Sequence, residues 1–237
     1  MSDIRRMMRG QSPIRTVIVE EKLLFAEALD IALSREGLDV TRVTPGLYRS
    51  TSTLLTAILR LRPTIALVDV DLDDTGLGRR LVTPLCRSGV AVVAMTATAD
   101  DARWGQCLRH GARAVLPMTC TMRDVVTTVR LVSAGRPAIE RPERERLVAD
   151  YHREKAAIQV LRRSLDQLTN RERVVLGHLR DGLTVSEIAA YSCVSESTVR
   201  TQVKSILAKL GVTSQVAAVG AAHRAGWNPS PVVATTR

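Results

Sequence analysis

The stretch ALVDVDLDDTG, residues 66–76, runs from an apolar segment straight into four aspartates, Asp69, Asp71, Asp73 and Asp74. With Thr64 and Ile65 in front of it, the apolar part reads as a short buried strand, Thr64–Val68. The same shape recurs at Thr16–Val19 (TVIV) and Val90–Met95 (VAVVAM), with weaker versions at Leu38–Val43 and Ala112–Leu116. Helical patterns fall between them: Lys22–Arg35, Thr53–Leu61, Leu77–Arg87, Asp100–His110 closed by Gly111, and Thr121–Ala134 ending at Gly135. Five such βα units predict an α/β, doubly wound, five-stranded parallel sheet covered on both faces. Sites in such sheets form at the carboxyl ends of the strands. Glu20 and Glu21, Asp69, and Thr96 occupy those ends, so acids from two strands and a hydroxyl from a third converge on one edge.

The totals agree with a folded protein of one large or two small domains. The chain has 237 residues, 45% of them hydrophobic and only 3% aromatic. Its core must therefore be built from Leu, Val, Ile and Ala, and base stacking on aromatic platforms is disfavoured. A net charge of +10 favours an anionic partner. No apolar run approaches the roughly 20 residues that span a bilayer, so no membrane is expected. The N-terminal residues 1–13 have charge but no apolar segment behind them and read as a flexible tail rather than a secretory signal. Cys86, Cys107, Cys120 and Cys193 lack zinc-site spacing and are expected to be reduced, mostly buried thiols of a cytoplasmic protein.

VIVEEKLLFAEAL, ALVDVDLDD, VVAMTA and GARAVLPM together resemble the receiver domain of bacterial response regulators, a flavodoxin-like fold, over residues 14–135. The resemblance implies that Glu20 and Glu21 bind Mg²⁺ with Asp69, that Asp69 accepts a phosphoryl group, and that Thr96 holds its oxygens. Such charge neutralisation is what phosphoryl transfer needs. Several positions depart from the family. Met118 stands where the family has a phosphoryl-binding Lys, Val115 replaces the switch aromatic, the acidic pair is Glu-Glu, and Asp73 stands where Pro is common. A thioether cannot pair with a phosphoryl oxygen, and Asp71, Asp73 and Asp74 add negative charge. The implied receiver pocket of Glu20, Glu21, Thr96 and Met118 is thus degenerate. It points to a module working by dimerisation or ligand sensing, the alternative being conventional phosphorylation of Asp69 by a sensor kinase.

Residues 136–167 are rich in charge and read as a helical linker. Leu147, Tyr151, Ile158, Leu161, Leu165 and Leu168 form a heptad-like stripe interrupted by Glu154. It suits a helix packing on its own domain or one that also pairs two protomers.

The segment LTNRERVVLGHLRDGLTVSEIAAYSCVSESTVRTQVKSILAKL, residues 168–210, reads as successive short helices. Thr169 with Glu172 and Thr184 with Glu187 are capping boxes, and Ser195 caps the next helix. In that helix Val199, Val203, Ile206 and Leu210 make one apolar face, while Ser197, Arg200, Thr201 and Lys204 lie opposite. Preceded by the helix Val185–Tyr191 and a tight turn at residues 192–194, this is a helix-turn-helix pattern, a small all-α domain over residues 168–226. A fourth helix, Ser214–Ala225, is rich in Ala and Val, and residues 227–237 read as a flexible tail.

This segment closely resembles the LuxR-type helix-turn-helix of the NarL/FixJ regulators, with Gln202 where that family often has His. The resemblance implies that Arg200, Thr201 and Lys204 face bases or phosphates of double-stranded DNA. Ser195, Ser197, Thr198 and Lys209 would hold the backbone, and a homodimer would read a twofold site. The chain is thus expected to be a DNA-binding transcription regulator and not an enzyme. An interaction protein built around a small-molecule ligand or a partner of the first domain is the competing reading.

Overall fold

A computed structural model describes residues 14–72 and 76–228. The expected tail at 1–13, most of the one at 227–237, and Asp73 and Asp74 lie outside the described residues. The chain divides after His152 into two compact units, each described by itself.

The N-terminal unit is a five-stranded, all-parallel sheet in the order β2-β1-β3-β4-β5. Its strands are β1 (Arg15–Val19), β2 (Asp39–Val43), β3 (Ile65–Asp69), β4 (Ala91–Thr96) and β5 (Ala114–Pro117). The doubly wound sheet expected from the sequence is the one formed. The central β3 is buried at every position, as a strand covered on both faces must be. The edge strand β2 buries only Val43 outright, which is why its pattern was weak.

Helices α1 (Leu23–Arg35) and α5 (Met122–Ser133) cover one face, over Ile18, Leu67 and Val93. Helices α2 (Thr51–Arg60), α3 (Leu77–Arg87) and α4 (Asp101–Arg109) cover the other, over Val17, Ala66, Val68 and Val92. Local chemistry sets their starts. Ser50 accepts from the Thr53 amide, Asp100 from those of Ala102 and Arg103, and Thr121 from that of Asp124. α3 begins instead at Gly76, whose φ is +75°. Gly78 lets this first turn lie on the end of β3: a Cβ there would fall 2.0 Å from the Asp69 carbonyl oxygen.

Helix α6 (Arg141–Asp166) is the expected charged helix. Its apolar residues pack on their own units. Leu147 is buried in the N-terminal core, and Leu165 belongs to the C-terminal one. Arg144 donates to the carbonyls of Leu108 (2.8 Å) and Ala112 (3.2 Å), capping the end of α4. At Gly105 of α4 a Cβ would sit 1.9 Å from the Leu147 carbonyl oxygen, so the two helices meet backbone to backbone.

The C-terminal unit joins α7 (Asn170–Arg180), α8 (Val185–Tyr191), α9 (Glu196–Leu210) and α10 (Gln215–Arg224). Both expected capping boxes form, at Thr169–Glu172 and Thr184–Glu187. The core takes Val199, Val203, Ile206 and Leu210 from α9 and Ala218 and Ala222 from α10. Trp227 corrects the expected tail boundary. It packs against this core, and its amide donates to the Ala222 carbonyl at 2.9 Å. Among the described residues no single helix is long and apolar enough to cross a membrane.

Replacing Gly105 with Ala should destabilise the N-terminal unit by about 2 kcal/mol, the cost of forcing a methyl against backbone. Urea melts of the full chain measure it; an unchanged midpoint would mean that α6 does not press on α4 at Leu147.

Candidate functional site

The strand register decides what meets at the sheet edge. Val19 pairs with Val68, so Glu20 lies level with Asp69. Asp69 pairs with Met95, so Thr96 lies one residue beyond, level with Val70. Glu20, Asp69 and Thr96 are all buried. Burial pushes the Glu20 carboxyl up; the Lys22 amide, donating at 2.8 Å, opposes it, and the charge of Asp69 adds to the rise. Burial likewise raises Asp69, against the Asp71 amide donating to Oδ1 at 2.8 Å and the nearby charge of Lys22. A carboxyl that holds its proton more tightly is less available as a nucleophile at a given pH.

Glu21 does not join this pair. Its carboxylate accepts from the Gly46 amide at 3.0 Å, and a Cβ on Gly46 would fall 2.7 Å from Oε1, so the turn at Pro45–Leu47 is shaped to receive it. The Glu20, Glu21 and Asp69 trio expected for Mg²⁺ is therefore not assembled, and no three-ligand metal group forms among the described residues.

Met118 does sit beside Thr96, its amide donating to the Thr96 carbonyl at 2.8 Å. The cation missing at this position comes from another strand end. Lys22 Nζ lies 3.8 Å from Met118 Sδ, within electrostatic range of Glu20 and Asp69.

The Thr96 hydroxyl does not face Asp69. It donates to Asp71 Oδ2 at 2.5 Å, and the Ala97 amide (3.1 Å) and Thr98 hydroxyl (3.4 Å) converge on the same oxygen. Arg79 and Arg103 approach Asp71 Oδ1 at 3.7 and 3.8 Å. Trp104 closes the far side, its indole N–H donating to the Thr98 carbonyl at 2.9 Å. The crevice among Asp71, Thr96, Trp104 and Val115 is too tight for a water molecule.

In the C-terminal unit, α8 and α9 are joined by a turn at Ser192–Val194 in which Cys193 takes a φ of +52°. Ser195 caps α9 by accepting from the Thr198 amide at 3.2 Å. Ser195, Ser197, Thr198, Arg200, Thr201 and Lys204 are exposed, on the side away from the apolar stripe. Arg200 pairs with Glu196 at 2.9 Å, a surface contact that a phosphate can displace at little cost. Thr201 bonds back to the Ser197 carbonyl at 2.9 Å. Beside this face, Thr198 and Gln202 line a groove with Asn170 and Arg171 of α7.

Residues 166–222 match the luxR family of bacterial regulatory proteins. Over nearly the whole length the chain is similar to known regulators. It is 29% identical to the transcriptional regulatory protein LnrK of Bacillus subtilis, covering 86% of this chain and 94% of that one. It is also 29% identical to the probable transcriptional regulatory protein NarL of Mycobacterium tuberculosis, covering 89% and 94%.

Over nearly its whole length the chain is similar to the NarL/FixJ-type response regulators.

A structure of RcsB from Salmonella enterica serovar Typhimurium, determined bound to a promoter, shares its fold at a TM-score of 0.50. It is 18% identical and covers 89% of this chain and 98% of that one. The luxR-family match and these relatives make the chain a DNA-binding transcriptional regulator.

One expected DNA contact is turned inward. Lys209 donates to Glu172 Oε2 at 2.7 Å and to the Gln167 carbonyl at 3.3 Å, while Ser205 donates to Glu172 Oε1 at 2.5 Å. Glu172 is 6% exposed, so the protein uses Lys209 to neutralise a buried carboxylate. Sequence reasoning also missed Lys22, Arg79, Arg103 and Trp104 at the sheet edge. The basic side chains at 79 and 103 stand one helical turn or less from the starts of α3 and α4, a signal that could have marked them. Of the cysteines, Cys107 alone is buried, its thiol pushed up by burial to about 11, and Cys193 is exposed.

Burial pushes the Glu172 carboxyl up, but Lys209, Ser205 and Thr169 together outweigh it and hold it at about 2, against an ordinary 4.5. Because the folded value is the lower one, this stabilisation is complete above pH about 4.5 and is lost as pH falls toward 2. Glu172→Gln should cost the C-terminal unit roughly 2 kcal/mol at neutral pH and flatten its acid unfolding between those values. Circular dichroism melts across pH check this; identical acid profiles for variant and wild type would refute the Glu172 assignment.

Proposed function

We propose that this response regulator acts in the cytoplasm as a homodimer that reads a twofold DNA site through α9, and that its N-terminal unit is governed without aspartyl phosphorylation. A small-molecule ligand, a protein partner or dimerisation itself would take the place of the phosphoryl signal. The observation that carries the second half is the engagement of Thr96 by Asp71: the hydroxyl that would hold a phosphoryl oxygen on Asp69 is already bonded elsewhere. The raised carboxyls of Glu20 and Asp69, the diversion of Glu21 and the thioether at Met118 support it. Conventional phosphorylation of Asp69 by a sensor kinase remains the second reading. It is favoured by Lys22, whose ammonium brings to Met118 the charge that Met118 lacks.

Intact mass of the full chain, after incubation with Mg²⁺ and a small phosphoryl donor, separates the two. The expected result is no adduct. A phosphoryl adduct on the wild type that is missing from Asp69→Asn would establish the second reading.

For DNA, the exposed face of α9 presents Arg200, Thr201 and Lys204 with small residues beside them, which lets a helix approach the major groove. Lys204→Ala should weaken binding about tenfold across sequences and reduce the salt dependence by about one phosphate contact. Binding isotherms at several salt concentrations measure both; an unchanged slope and affinity would remove Lys204 from the interface.

A further inference from the structure

The five groups around Asp71 come from three separate segments, and all are donors. Thr96 ends β4 and Ala97 and Thr98 follow it, Arg79 stands in the first turn of α3, and Arg103 in the first turn of α4. Three of them meet on Oδ2 at 2.5, 3.1 and 3.4 Å. Two guanidinium groups stand at 3.7 and 3.8 Å from Oδ1. Arg103 is shared with Asp100 at 3.4 Å. The Arg79 guanidinium lies over Gly76, where a Cβ would fall 2.9 Å from Nη2. Hydroxyls, a backbone amide and a fork-shaped cation are the set that recognises a tetrahedral oxyanion. One carboxylate now uses them all, and the crevice behind it admits no water.

We propose that Asp71 is a built-in anion: its carboxylate fills an oxyanion site made by Thr96, Ala97, Thr98, Arg79 and Arg103, which takes free inorganic phosphate once that carboxylate is removed. The inference deepens the phosphorylation-independent reading. It assigns to the chain itself the anion that would otherwise be supplied from outside, and it leaves the edge permanently occupied.

The test is calorimetric titration of the full-length protein with inorganic phosphate, at ionic strength matched with chloride. Wild type should show no saturable binding up to about 10 mM, whereas Asp71→Ala should saturate at least about tenfold below that. Adding Arg79→Gln to Asp71→Ala should abolish the gain. Asp71→Ser removes the charge and shortens the side chain, so that it also vacates the site. If the Ala variant does not fold, saturable binding is expected from this one, and its absence in folded Asp71→Ser overturns the proposal. Equal binding by wild type and Asp71→Ala, or none by folded Asp71→Ala, overturns it as well. The two readings fail separately. A phosphoryl adduct on Asp69 overturns phosphorylation-independent control without touching the phosphate titration, and saturable phosphate binding by wild type does the reverse.

Discussion

Burying carboxylates at the edge of a parallel sheet requires cations or donors close by, because a charge taken out of water is tolerated only when it is paired. The register brings Glu20 level with Asp69, whose charge raises the proton affinity of Glu20 on top of burial. Lys22 answers that pair from the first turn after β1. Arg79, Arg103 and the three donors at the end of β4 answer Asp71. α3 and α4 both start where their arginines reach the same carboxylate. Gly76 and Gly78 then have distinct reasons to be glycine, one a φ of +75° and the other the close backbone of β3.

The C-terminal unit solves the same problem with one side chain. Glu187 closes its capping box on the surface and serves only the start of α8. Glu172 closes its own box with the Thr169 amide at 2.7 Å and also takes Ser205 and Lys209 from α9. A helix start thereby becomes a tie between α7 and α9. Ser205 and Lys209, which make the tie, flank the polar face of α9.

Much of this was legible in the sequence. β-branched runs marked β1, β3 and β4, Ser/Thr with Glu three residues on marked α7 and α8, and the spacing of Val199, Val203, Ile206 and Leu210 marked the buried side of α9. These are local signals, fixed by neighbours a few residues away. What was not legible depends on direction after an element ends. Four aspartates in one loop gave no sign that Asp71, rather than Asp69, receives Thr96; that follows from the one-residue stagger between β3 and β4. Glu21 was lost to Gly46, 25 residues on, and Lys209 to Glu172, 37 residues back. The stripe on α6 was visible, but its periodicity alone could not say that Leu147 belongs to one core and Leu165 to another.

The contact between Gly105 and Leu147 bears on how such chains can be recombined. The opening turns of α6 are fitted to α4 so closely that they travel with the sheet, whatever follows them. A chimera joined just after Gly135 would hand the N-terminal unit a foreign helix with no Arg144 for the carbonyls of α4 and no fitted backbone for Gly105. A joint placed after His152 preserves both, so the exchangeable module ends within a helix rather than at the loop where the composition changes.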